Sequence, residues 1–125
     1  MEFRNRQSIY LQIGDFICEN ILSGKWKDGD KIPSVRDMAV SIEVNPNTVM
    51  RSYSYLQENG IITNQRGIGY FVGGDSYENT LKLKKNEFVE KDLVRLFKYM
   101  ELLGLTLEDI VVLYNKYKIR EDRLP

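Results

Sequence analysis

Histidine is absent from this chain of 125 residues, and cysteine occurs once, at Cys18. Without an imidazole, the commonest general base and the commonest metal ligand are both missing. A single cysteine excludes an internal disulfide framework and a Cys–His nucleophile pair. Its setting, Phe16-Ile17-Cys18 inside an apolar helical pattern, reads as a small buried hydrophobe rather than a redox or metal site. No glycine-rich phosphate loop with a lysine occurs. The acidic pairs Asp28/Asp30 and Glu108/Asp109 fall in a turn and at a helix start, where solvated surface accounts for them. The expectation is therefore no enzyme: no catalytic residue, no metal and no cofactor.

Long apolar runs are missing too. No stretch approaches the roughly 20 residues of a membrane span, and Met1 to Gln7 is polar and charged, unlike a signal peptide. Both point to the cytoplasm and away from a membrane partner. Charge of one sign is also missing, with 18 Lys+Arg against 18 Asp+Glu. Division does not uncover a surplus: residues 1–75 hold eight basic and nine acidic side chains, residues 76–125 ten and nine. Any contact with a polyanion must come from a local arrangement of cations and neutral donors, not from the overall field.

What is present is ordinary globular material, 42% hydrophobic and 29% charged, with no repeats. It is enough for one cored domain with a short appendage. Ser8 to Ser23 reads as a helix, with Ile9, Ile13, Phe16, Ile17 and Ile21 at three- and four-residue spacing, Ser8 as N-cap and Gly24 as stop. Lys25 to Ile32 is a turn-rich connection around Asp28-Gly29-Asp30. Ser34 and Asp37 form a capping-box pattern for a second helix to about Ile42, burying Val35, Met38, Ala39 and Ile42. After a turn at Glu43-Val44, Asn45 caps a third helix with Pro46 at its first position. That helix runs to about Asn59, facing inward with Val49, Tyr53 and Leu56. Outward it offers Asn47, Thr48, Arg51, Ser52 and Tyr55.

Ile61–Asn64 and Gly69–Val72 then read as two strands, with Gln65-Arg66-Gly67-Ile68 as the hairpin tip. Gly67 permits the positive φ such a tip needs. Gly73-Gly74 marks a boundary, giving residues 1–74 and 75–125 as the two parts. Beyond it an amphipathic stripe runs from Tyr77 to Leu103, with Lys84-Lys85-Asn86 as its interruption. Gly104 ends it, and Thr106 with Asp109 caps a last helix. Two helices joined by three residues read as an antiparallel hairpin with more apolar surface than it can bury alone, which a twin copy would cover. The tyrosines read as core and dimer packing, and Trp26 as cover for a core edge.

The expected fold is mainly α with a small β-hairpin: a winged helix-turn-helix followed by a two-helix dimerisation hairpin. Such a layout sets the start of the third helix in the major groove. Asn47 suits adenine, Arg51 guanine or a phosphate, and Thr48 a thymine methyl or a phosphate. Arg36, in the first turn of the second helix, suits a phosphate or base; the rival reading pairs it with Asp37 or Glu43. Arg66 beside Gly67 suits the minor groove. The competing function is a winged-helix protein-interaction module, which the zero net charge favours.

Several runs are similar to the GntR family of bacterial transcription regulators. They are Tyr10-Leu11-Gln12-Ile13, Gly29-Asp30, Ile32-Pro33-Ser34-Val35-Arg36, Asn45-Pro46-Asn47-Thr48-Val49, Gly60-Ile61-Ile62, Arg66-Gly67-Ile68-Gly69 and Phe71-Val72. The likeness covers about residues 7–73. Asn45–Val49, the short tail and Gly104-Leu105-Thr106 resemble the family's YtrA subfamily. The resemblance implies a homodimer on a palindromic double-stranded DNA operator, usually as a repressor and often beside transporter genes. It places DNA contacts on Arg36, Asn47, Thr48, Arg51, Arg66 and Gly67. Pro46 and Met50 stand where members of other subfamilies carry arginines. The large effector domain of most subfamilies has no counterpart, although a small-molecule effector is compatible with the layout.

Overall fold

A computed structural model of the chain describes residues 7–123. The elements run α1 (Ile9–Leu22), α2 (Val35–Ile42), α3 (Pro46–Glu58), β1 (Ile62–Gln65), β2 (Gly69–Val72), α4 (Ser76–Glu87), a π-helical turn (Phe88–Asp92), α5 (Leu93–Leu103) and α6 (Leu107–Arg123). The mainly helical winged helix-turn-helix expected from the sequence is present. By its contacts the chain divides into a first compact unit that runs to Lys84 and a second that begins at Lys85.

The core of the first unit forms where three helices and the hairpin converge. Ile13, Ile17 and Ile21 of α1, Met38 and Ala39 of α2, and Val49, Tyr53 and Leu56 of α3 meet Ile61, Ile62 and Val72. Each large aliphatic side chain buried there is worth roughly 1.5–3 kcal/mol. Ile9 and Phe16, read as part of the inward face of the first helix, are exposed. Gly14 and Asn20 are buried instead: Gly14 faces Leu56 and Tyr55 of α3, and the Asn20 amide donates back to the Phe16 carbonyl at 3.1 Å.

Local chemistry sets the helix starts. The Ser34 hydroxyl accepts from the Asp37 N–H at 3.0 Å, and the Asn45 Oδ1 accepts from the Asn47 N–H at 2.7 Å. Pro46 occupies the first turn of α3, where no N–H is required. Ser8 precedes α1 but makes no side-chain cap bond. Glu43 closes α2 in the left-handed region at φ 57°, unusual for a residue with a Cβ.

The hairpin pairs Ile62 with Val72 through Gln65 with Gly69, so the tip is Arg66-Gly67-Ile68, one residue shorter than expected. Gly67 has φ 78°, which a glycine adopts without strain. The stretch ending at Ile32 is more than a turn. Lys31 forms an isolated bridge to Phe71, and the Ile32 N–H donates to the Tyr70 carbonyl at 3.0 Å, tying this stretch to the outer edge of the two-stranded wing.

The first unit does not end at Gly74. Ser76 and Thr80 of α4 are fully buried, and their hydroxyls have no partner among the described residues. Small side chains let this helix approach closely. The Asn79 amide donates to the Gly60 carbonyl at 2.9 Å, and Lys84 pairs with Asp15 at 2.6 Å. The ion pair is partly exposed and worth less than about 1 kcal/mol. The Lys84–Asn86 segment is helical. The interruption lies further on, at the π-helical turn Phe88–Asp92.

In the second unit α5 ends at Gly104, and the last helix starts with a reciprocal capping box. The Thr106 N–H donates to the Asp109 carboxylate at 2.9 Å, and the Asp109 N–H to the Thr106 hydroxyl at 3.1 Å. The connection is the one expected, but α5 and α6 make little contact along each other. None of residues 85–121 is fully buried. Leu102, Leu103 and Leu107 are 77%, 68% and 68% exposed.

Candidate nucleic-acid interface

Tyr53 organises the first unit's polar face. It is fully buried on α3, and its hydroxyl donates to the Pro33 carbonyl at 2.7 Å, just before α2 begins. Its ring meets the Tyr70 ring of β2 edge-on, with centroids 4.8 Å apart. The Tyr70 hydroxyl in turn reaches the Met50 sulfur of α3 at 3.8 Å. One core residue thus fixes the start of α2, the outer face of α3 and the wing relative to one another. Burial pushes the Tyr53 phenol well above its ordinary pKa, and Tyr70 and Asp37 add to the shift.

On that frame Asn47, Thr48 and Arg51 come together. They line an open groove of about 420 Å³ with Ser8, Ile9 and Tyr10. Asn47 and Arg51 are exposed and Thr48 is half-buried. Asn45, not Asn47, supplies the cap, so the Asn47 amide is left for other use. The Arg51 guanidinium lies 4.0 Å above the centre of the Tyr10 ring.

Arg36 is exposed in the first turn of α2. It makes no ion pair with Asp37 or Glu43. Arg66 and Gly67 are exposed at the wing tip, on a hairpin joined to α3 through Tyr70. Ser52, read as outward, is buried. Its hydroxyl donates to the Tyr10 carbonyl at 2.6 Å, because α1 packs on that side of α3. Tyr55 is half-buried, with its ring edge-on to Tyr10 at 6.1 Å.

Two residues near this face were not assigned to it from the sequence. Lys31 pairs with Phe71 of β2 and carries its side chain along the wing to Gly69, beside the tip. A Cβ on Gly69, whose φ is 140°, would come within 3.1 Å of the Lys31 Cε. Tyr10 sits under Arg51. Pairing between distant segments places both, and neither has a local signature. No helix among the described residues is long and apolar enough to cross a membrane.

Comparison with known proteins agrees with this geometry. The profile of the family described as bacterial regulatory proteins, gntR family, matches residues 9–72. The chain is 38% identical over 110 residues to the HTH-type transcriptional regulator YhcF of Bacillus subtilis, covering 88% of this chain and 89% of that protein. It is 36% identical over 107 residues to the HTH-type transcriptional repressor YtrA of the same organism, covering 86% and 82% respectively. A solved structure described as a transcriptional regulator of the GntR family from Bacteroides thetaiotaomicron superposes with a TM-score of 0.79. It is 40% identical and covers 91% of this chain and 99% of that one.

Proposed function

The chain belongs to the GntR family of DNA-binding transcription regulators, and from that premise we propose that it is a homodimeric repressor of the YtrA type acting on a palindromic operator in the cytoplasm. Its relatives are regulators, not enzymes. The observation that carries the reading is the unspent polar face of α3. Asn47, Thr48 and Arg51 share one groove, and Arg36 and Arg66 have no ion-pair partner among the described residues, on elements that Tyr53 and Tyr70 tie to α3.

Asn47, Thr48 and Arg51 contact base edges and the adjoining backbone, Arg36 a phosphate, and Arg66 with Gly67 the minor groove. Neutral amides and a few arginines give a chain of zero net charge local purchase on DNA. Dimerisation is supported by the second unit, whose large apolar side chains are exposed along α5 and α6. Repression is supported by the likeness to YtrA, and control of transporter genes by the family resemblance alone. Two copies on one face of a duplex place half-sites about 34 Å apart, or multiples of that.

A gel shift with the duplex upstream of the protein's own gene tests the proposal. We expect a retarded species with two chains per duplex, displaced by the same DNA and not by its shuffled sequence. Binding should weaken as salt rises. Equal competition by shuffled DNA would contradict operator reading, and no retardation would favour a protein-interaction module.

A further inference from the structure

We propose that Tyr10 is a positioning residue for base recognition, its ring forming the seat from which Arg51 aims its guanidinium at one base pair. The inference rests on the reading of α3 as the helix that faces DNA. It goes beyond that reading by giving a specificity role to a side chain on a different helix.

The Arg51 guanidinium lies 4.0 Å from the Tyr10 ring centre, well inside cation–π range. The seat is itself held by α3. Its ring meets Tyr55 edge-on at 6.1 Å, and its backbone carbonyl accepts the Ser52 hydroxyl at 2.6 Å. Tyr55, Ser52 and Arg51 all stand on α3, so the seat is anchored to the same helix that carries the arginine.

In the proposed seat the guanidinium lies face-on to the ring that its central carbon overlies, which leaves its edge free. That edge carries the N–H fork that pairs with guanine O6 and N7. A long side chain free in water must be ordered when DNA arrives, and the stack orders it beforehand. A phosphate, which accepts charge from many directions, gains little from such aiming. A base edge, which accepts a fork in one plane, gains much. The groove beside the stack is lined by Asn47 and Thr48, so the aimed arginine lies next to the other candidate readers.

The probe is a duplex selected by the wild-type chain from a randomised pool, with each base pair then permuted in turn. Binding is followed by fluorescence anisotropy for the wild type, Tyr10→Phe, Tyr10→Leu, Arg51→Lys and the Tyr10→Leu/Arg51→Lys double variant. We expect Tyr10→Leu to lower the preference at one base position about three- to tenfold. That position is the one Arg51→Lys relaxes, and Tyr10→Phe keeps the wild-type preference. Tyr10→Leu leaves the salt slope unchanged, because the charge on Arg51 persists. The double variant discriminates no worse at that position than Arg51→Lys alone.

A Tyr10→Leu protein that keeps full preference, or that weakens on every sequence alike, overturns the inference. If Arg51→Lys relaxes no position while the wild type discriminates, base reading by Arg51 fails and the seat with it. If Arg51→Lys relaxes one position and Tyr10→Leu none, the seat alone fails. Should Tyr10→Leu not fold, Tyr10→Met, flexible and without a ring, takes its place.

Discussion

Replacing Tyr53 by alanine will cost about 3–5 kcal/mol of folding stability, the range for emptying a large aromatic site in a packed core. Tyr53 is fully buried, with its hydroxyl on the Pro33 carbonyl and its ring on Tyr70 of the wing. A small domain has about 5–15 kcal/mol in total, so the variant stands near the edge of folding. The loss extends to function, because the Pro33 bond and the Tyr70 contact both go. The start of α2 and the wing then lose their common reference, and DNA binding falls with stability.

Tyr53→Phe separates the two contributions. It keeps the ring packing and removes only the hydroxyl, at a cost of about 1 kcal/mol. It also changes the alkaline behaviour. Burial, with Tyr70 and Asp37, holds the Tyr53 phenol above its ordinary pKa. Above about pH 10 the unfolded chain releases this proton before the folded one does, so stability declines as pH rises through that range. Below it both states hold the proton and the group adds no slope. Urea midpoints from pH 8 upward should show a decline in the wild type that is shallower in Tyr53→Phe. Equal slopes would remove Tyr53 from the explanation.

Arg51→Ala will weaken specific DNA binding by about 1–3 kcal/mol and relax the choice of base at one position. Folding stability should change little, since Arg51 is exposed and its one described contact is the Tyr10 ring. The contrast with Tyr53 is the useful part. One variant loses binding through the scaffold, the other through a single contact on an intact scaffold. Anisotropy titrations on the selected duplex and its permuted versions read the difference. An equal loss on every sequence would place Arg51 on a phosphate instead of a base.

The readable parts of the fold were those whose chemistry is local. Asn45 and Pro46 announce the start of α3 because cap and fixed φ act within three residues, and Thr106 with Asp109 does the same for α6. Gly67 marks the wing tip for a similar reason. The site followed from these anchors, since a polar run placed just after a cap sits at a helix start. What stayed hidden depends on packing between segments far apart in the chain. Ser52 looks like any surface serine until α1 lays the Tyr10 carbonyl against it. The docking of α4 escaped notice because Ser76 and Thr80 carry no apolar signal, though their small size permits the contact. The bridge at Lys31 exists only through its pairing with β2. The π-helical turn at Phe88–Asp92 leaves no mark in composition, so the amphipathic stripe read as one helix with a break at the lysines.

The central claim is that the start of α3, the start of α2 and the wing tip form one DNA-facing surface. Titration of the upstream duplex into isotope-labelled protein, followed by amide chemical shifts, tests it most directly. The shifts should gather on Arg36, Asn47, Thr48, Arg51, Arg66 and Gly67, with residues 93–121 little changed. Shifts concentrated in α5 and α6, with the start of α3 unmoved, would contradict it.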